Sequence, residues 1–438
     1  MNTFQLVILG IFIFLAIFAV LVFSGIIPLG VGFGGSDPVE LVWWGTVPSR
    51  AQGLDLSIRT FNAEHKDQIS VRYVQKDSRT LEQELIGALA SGRGPDLILA
   101  PHELIIRHAD KLRLFSYESI SQRKFIDTFA QEARLWLYPE GILALPMYID
   151  PLVLYYNRDL FTTARLPSPP RTWEELRDQA QALTQTDERD NISQSAIALG
   201  GFNNIALAKD ILVALIMQAG NPLVMQGDSE FEVTLRNTLG YAEAPAGGAL
   251  AFFNKFSDSA NSLYSWNSAL PEARSMFTRS GLAMYLGYAS ELNLIRRQNP
   301  QLNFDVTTVP QSARANTADI TLGRLYGLAA LKSSPHATHA AQAILFLEAP
   351  DFLQSWSEVV ELPPARLDLL RNKPQDPAQS VFYDSAIIAR GWYDFDPQAS
   401  GEIIRELAES VRQGRAQTGE ALSLAHQQLT NLIPNFGQ

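Results

Sequence analysis

The chain has 438 residues, a formal net charge of −11, 46% hydrophobic and 10% aromatic residues, and no cysteine. That length exceeds one ordinary core, so two domains are expected, and the hydrophobic content is that of a globular protein. The acidic balance argues against a nucleic-acid partner, and the lack of Cys excludes disulfides, thiolate metal sites, a Cys nucleophile and a Cys-linked lipid anchor.

Residues 6–23 are an unbroken apolar run, Ile26, Ile27 and Leu29 extend it, and the first charged residue is Asp37. The run is long enough to cross a bilayer, and no Lys or Arg precedes it as in a signal peptide. The sequence therefore predicts an uncleaved single-pass transmembrane anchor over 6–29 and a Gly-rich tether over 30–37. Charge gives no orientation, because no Lys or Arg occurs before Arg50.

Downstream, Val39-Glu-Leu-Val-Trp-Trp44 reads as a strand ended by Gly45. Helical spacing follows over 54–61, then an alternating strand over 69–74, a helix opened by Thr80 and a strand over 94–100. This alternation is the doubly wound α/β pattern, in which ligand sites lie at the carboxyl ends of strands. Residues 141–157 read as two buried strands parted by a polar elbow at Asp150-Pro151. Thr172-Trp-Glu-Glu175 is a capping box, with Trp173, Leu176, Ala180 and Leu183 on one apolar helix face. Next come a strand over 191–201, an apolar helix over 209–219, a polar Gly-rich excursion over 226–248 and a helix over 250–256. Strands are expected over 304–310 and 325–331. Ser334-Pro335 should cap a helix reaching Glu348, and Ser400 and Thr418 should open two terminal helices.

No catalytic arrangement stands out. The six His residues, at 65, 102, 108, 336, 339 and 426, make no zinc spacing, and neither a Gly-x-Ser-x-Gly elbow nor a phosphate loop is present. Glu174 and Glu175 are adjacent on a helix and do not face each other. Asp394 and Asp396 read as turn acids or ligand acceptors. No enzyme activity, cofactor or metal is expected.

Several motifs carry a family likeness: Ala144-Leu-Pro146, Asp150, Leu154-Tyr-Tyr-Asn-Arg-Asp-Leu-Phe161, Pro169-Pro-Arg-Thr-Trp-Glu-Glu-Leu176, Ala90-Ser-Gly-Arg-Gly-Pro-Asp96 and Gly281-Leu-Ala-Met-Tyr-Leu-Gly287. In this order and spacing the chain resembles the extracellular solute-binding proteins of ABC importers, family 1, which include maltose- and other sugar-binding proteins. The resemblance covers roughly 38–433. It implies a two-lobed α/β fold of the periplasmic-binding-protein type II kind, with three interlobe crossings near 148–151, 307–312 and 357–364. Lobe 1 would comprise 38–148 plus 311–357, and lobe 2 149–310 plus 358–438. It further implies capture of a small polar ligand, most simply a sugar or oligosaccharide, and an ABC permease as partner. The soluble part would then be extracytoplasmic on its membrane anchor.

Sugar recognition needs flat apolar rings for the C–H face and planar polar groups for the hydroxyls. The resemblance places ligand contacts at Trp44 and Thr46, at His102 and Glu103 after the strand over 96–100, at Asp150 in the crossing, and at Trp392. The residues themselves add Phe202, Asn203 and Asn204 after a Gly pair, Trp266 beside Asn267, Tyr288 after Gly287, and Arg324 after Gly323. Relatives carry a Trp just after the glycine that precedes Tyr288, and this chain departs from them there. Other readings stay open: a polyamine, metal chelate, phosphate ester or peptide ligand, a tethered carbohydrate-active enzyme, or a sensory receptor or scaffold.

Overall fold

Val39–Gly45 lies parallel to both Ile69–Gln75 and Leu97–Pro101, and helices Leu54–Glu64 and Leu81–Ala90 make the connections. A computed structural model describes residues 38–189, 191–227, 230–313 and 318–434. The expected anchor over 6–29 and tether over 30–37 lie outside the described residues. Among those described, no helix is long and apolar enough to cross a membrane. Alternation along the first strand turns Leu41 and Trp43 into the core. The fully buried Trp43 stacks on Trp356 at 4.9 Å and meets Tyr73 edge-on at 5.3 Å.

Two long antiparallel strands, Leu145–Asn157 and Thr321–Leu331, join the N-terminal parallel strands to a second set of strands. Leu145–Asn157 is one continuous strand, where the sequence suggested two split at Asp150-Pro151. It changes partners instead of breaking. Up to Pro151 it pairs with Thr321–Leu331, and from Leu152 onward it pairs with Leu282–Tyr288 and Phe304–Thr308. Proline removes a ladder donor, and Pro151 stands at the changeover, where that loss is tolerated. Pro146 is accommodated by a bulge: Tyr148 faces Tyr326, Pro146 faces Gly327, and Met147 has no counterpart on that strand. The Met147 carbonyl accepts from Ala365 N–H at 2.9 Å, and Ile149 N–H donates to Pro363 at 2.9 Å. A third chain segment thus packs where the strand passes from one half of the sheet to the other.

The two halves are the two lobes of an α/β fold. The first holds the strands from Ile69–Gln75 to Leu97–Pro101. The second holds Leu282–Tyr288, Ile192–Ile197 and Gln185–Thr186, with Phe304–Thr308 paired onto Leu145–Asn157.

Local expectations fared unevenly. Helix Trp173–Leu183 buries the four expected side chains, and Thr172 accepts from Glu175 N–H at 3.2 Å. Glu175, however, reaches back to Arg171 N–H at 2.7 Å rather than to the cap residue itself. The excursion over 226–248 contains a hairpin of Val224–Gln226 and Phe231–Val233, and helix Pro245–Lys255 begins within it. Pro335 precedes its helix, Ala337–Leu347, because the Ser334 hydroxyl donates to Asp96 at 2.5 Å and accepts from His336 N–H at 2.9 Å. Ser400 does not open its helix. Pro397–Arg412 starts earlier, where Asp396 accepts from Gln398 and Ala399 and proline takes the first helical position.

Candidate functional site

Two cavities border the strand pair. On it, Asp150 lies opposite Arg324 and Tyr148 opposite Tyr326, so alternation puts all four on one face. The Tyr148 and Tyr326 rings stack at 4.6 Å with 11° between their planes. They and Asp150 line a cavity of about 820 Å³ with Thr46, Ser290 and Glu358. A smaller cavity of about 230 Å³ is lined by His102, Glu103, Lys209, Tyr288, Arg324 and Trp392, among others. Asp150 borders the larger cavity and Arg324 the smaller.

Asp150 is buried and accepts from Ser290 N–H at 2.9 Å; burial pushes its carboxyl up to about 6 against the bonds from Ser290. Arg324 donates to Asp210 at 2.9 Å and lies over the Tyr288 ring at 4.1 Å, and the Tyr288 hydroxyl donates to the same Asp210 oxygen at 2.9 Å. Asp210 and Lys209 sit in the first turn of Ala208–Gln218. Lys209 donates to Asp394 at 2.5 Å, to Ser400 at 2.8 Å and to the Pro397 carbonyl at 3.0 Å, and stands 5.5 Å from the Trp392 ring centre. Both cations of the smaller cavity are therefore paired, and each faces an aromatic ring.

His102 opens a short helix at the carboxyl end of Leu97–Pro101, where the doubly wound pattern places a site. Its Nδ1 accepts from Leu325 N–H at 3.3 Å, and burial lowers its pKa, so the ring is neutral. Glu103 lies 3.6 Å from that same nitrogen. Burial pushes the Glu103 carboxyl up, but the nearby Arg324 and Lys209 charges and its own backbone N–H pull it down and leave it below its ordinary value. Behind the cavity wall Glu132 is 2% exposed, and nothing among the described residues donates to either of its oxygens. Burial and the Glu103 charge push it up to about 8, against the pull of Arg390. Its room comes from two glycines: a Cβ at Gly323 would stand 2.5 Å from one carboxyl oxygen, and one at Gly391 3.0 Å from the other.

Of the expected residues, the structure gathers His102, Glu103, Tyr288, Arg324 and Trp392 at the smaller cavity and Thr46 and Asp150 at the larger. Trp44 lines neither; it is nearly buried, with Lys76 Nζ 3.7 Å over its ring. Phe202, Asn203, Asn204 and Trp266 also line neither. Trp266 is fully buried and donates to Asn204 Oδ1 at 2.9 Å, while the Asn204 amide donates to the Asn267 and Leu270 carbonyls at 2.9 and 2.8 Å. Phe202 packs edge-on against Phe253 at 5.9 Å, and Asn203 is exposed. Trp266 and Asn204 thus close a loop, and none of the four residues borders either cavity. Sequence reasoning missed Tyr148, Tyr326, Lys209, Asp210 and Glu132. Period-two counting from Asp150 and Arg324 would have found the two tyrosines, whereas nothing local distinguishes Glu132. No group suited to hold a metal ion occurs among the described residues.

The bacterial extracellular solute-binding protein family model matches residues 47–355, well over half of the chain. The chain belongs to that family. Solved structures similar to it include a cyclo/maltodextrin-binding protein complexed with maltotetraose, at 18% identity and a TM-score of 0.72 over 92% of this chain and 99% of that one. An ABC transporter solute-binding protein from Thermotoga lettingae bound with α-D-tagatose is similar at 21% identity and a TM-score of 0.65, over 91% and 100%. The extracellular solute-binding protein of Staphylococcus aureus in complex with maltose follows at 17% and 0.69, over 90% and 98%. At these identities the likeness is one of fold. The two cavities lie beside the strands that join the two lobes.

Proposed function

We propose that the chain captures a sugar or oligosaccharide in this cleft and presents it to an ABC importer permease, held at the membrane by residues 6–29 with its lobes outside the cytoplasm. The observation that carries the reading is the crossing itself. A buried carboxylate, a guanidinium and a stacked tyrosine pair share one face of the two strands that join the lobes, and cavities open on both sides of it. Planar hydrogen-bonding groups beside flat rings are what sugar hydroxyls and C–H faces require. The sugars bound by the similar structures support the same class. Lobe closure about Asp150-Pro151, Gly323-Arg324 and residues 362–365 would follow from the ligand's higher affinity for the closed form. The cleft needs only to bind, and no chemical step is invoked.

Thermal melting of the full chain with a panel of mono- and oligosaccharides tests this. A ligand at 100 times its dissociation constant adds about 2.7 kcal/mol to a protein that binds it only when folded. A clear rise in Tm with at least one sugar is expected, and a folded protein that no sugar stabilises would refute the reading. Retention in the membrane pellet after an alkaline wash is expected for the anchor, and release into the supernatant would remove it.

A further inference from the structure

The charges of the smaller cavity do not balance. Its lining holds two fixed cations, Lys209 and Arg324, and three acids, Glu103, Asp210 and Asp394. Lys209 is bound to Asp394 and Arg324 to Asp210, which leaves Glu103. The one ring beside it is no donor there: His102 Nδ1 spends its lone pair on Leu325 N–H and carries no proton toward the carboxylate 3.6 Å away. Glu132, buried 3.9 Å from the same His102 nitrogen, presses on the same wall under Gly323. Glu103 is therefore the one acid of this lining without a Lys or Arg partner, and the cavity keeps a net negative charge that a cationic ligand would balance.

We propose that the glycan captured here carries a protonated amine, and that its amino-sugar unit docks in the smaller cavity with the ammonium on Glu103. The inference rests on the sugar-binding reading above. A neutral sugar would leave Glu103 with hydroxyl donors alone, and a uronate would set two carboxylates against each other. An ammonium supplies three donors and the missing charge, and charge-assisted bonds of this kind are about twice as strong as neutral ones.

The test is calorimetric titration of the full chain with three trisaccharides of one linkage: β-1,4-linked glucosamine, its N-acetylated counterpart, and cellotriose, with maltotriose and spermidine alongside. The glucosamine trimer should bind at least roughly ten-fold more tightly than either neutral counterpart. Glu103→Gln should abolish that preference, bringing the glucosamine trimer level with its neutral counterparts. Should the variant not fold, the wild-type preference read between low and 1 M salt replaces it, and it should shrink as the charges are screened. A neutral sugar bound as tightly as the amine would overturn the inference and leave the sugar reading standing. Spermidine binding without any sugar binding, or silence from every probe, would overturn both.

Discussion

Trp266 beside Asn267 and Trp392 beside Asp394 are alike as sequence: an aromatic ring with a planar polar group in a loop. In the structure they end in opposite places. Asn204 spends its acceptor on the Trp266 indole and its donors on two carbonyls, so ring and amide close on each other and leave the surface. Asp394 instead takes Lys209 from a different helix, and that lysine stands over Trp392 at the edge of an open cavity. A polar group that completes its bonds with the neighbouring ring seals that ring into the core. One that completes them with a charge across a cavity leaves the ring at a site.

The sharpest way to break this comparison is truncation of both rings. Trp266→Ala removes a fully buried indole and orphans Asn204 Oδ1, and should cost about 3–5 kcal/mol in chemical denaturation while leaving the sugar affinity of the folded protein intact. Trp392→Ala should instead abolish detectable sugar binding. If the two phenotypes were exchanged, the loop around Trp266 would belong to the site after all.

Next in size is the buried carboxyl behind the cleft. The folded pKa of Glu132 is about 8, against an ordinary 4.5. Between those values the folded state holds a proton that the unfolded state has lost, so stability is full below about pH 4.5 and declines as pH rises toward 8. The accumulated loss is on the order of a few kcal/mol. Glu132→Gln should flatten that decline, matching the wild type at pH 4 and exceeding it at pH 8. Urea melts across that range check it, and parallel curves would mean that Glu132 finds a partner the structure does not show. Gly323→Ala probes the same wall sterically. Its Cβ would meet the Glu132 carboxyl at 2.5 Å and the Ala389 methyl at 2.9 Å, and overpacking there should cost about 1–3 kcal/mol by the same melts. A neutral outcome would show that Glu132 can swing aside.

Much of the architecture was legible because it rests on short-range patterns. Alternating apolar residues gave the strands, and Thr172 with its spacing to Trp173 and Leu176 gave a helix and its buried face. The continuity of Leu145–Asn157 was not legible: whether Pro151 breaks a strand depends on which partner would have received its missing N–H, and that partner lies far along the chain. The site divides in the same way. Asp150, His102, Glu103 and Trp392 could be nominated through the family resemblance. Glu132 could not, because its isolation is set by glycines at 323 and 391, far away in sequence. Nor could the sequence say that Trp44 and Trp266 would be covered, since the groups covering them, Lys76 and Asn204, come from other segments.

The smallest expected effect bears on Trp44, which the family resemblance nominated and which borders neither cavity. Lys76 lies over its ring at 3.7 Å, with the ammonium only partly exposed. A cation–π contact at such a site is worth about 0.5–1 kcal/mol. Lys76→Gln removes the cation and keeps the stem, so stability should fall by about that amount and sugar affinity should stay within roughly two-fold of the wild type. The reasoning is that Trp44 borders neither cavity, so uncovering its face offers the ligand nothing. If affinity instead rose several-fold, the ring would be a stacking surface that Lys76 shields in the unliganded protein. Trp44 would then rejoin the cleft beside Thr46, and a cation lying over an aromatic ring would no longer separate structural rings from binding ones in this fold.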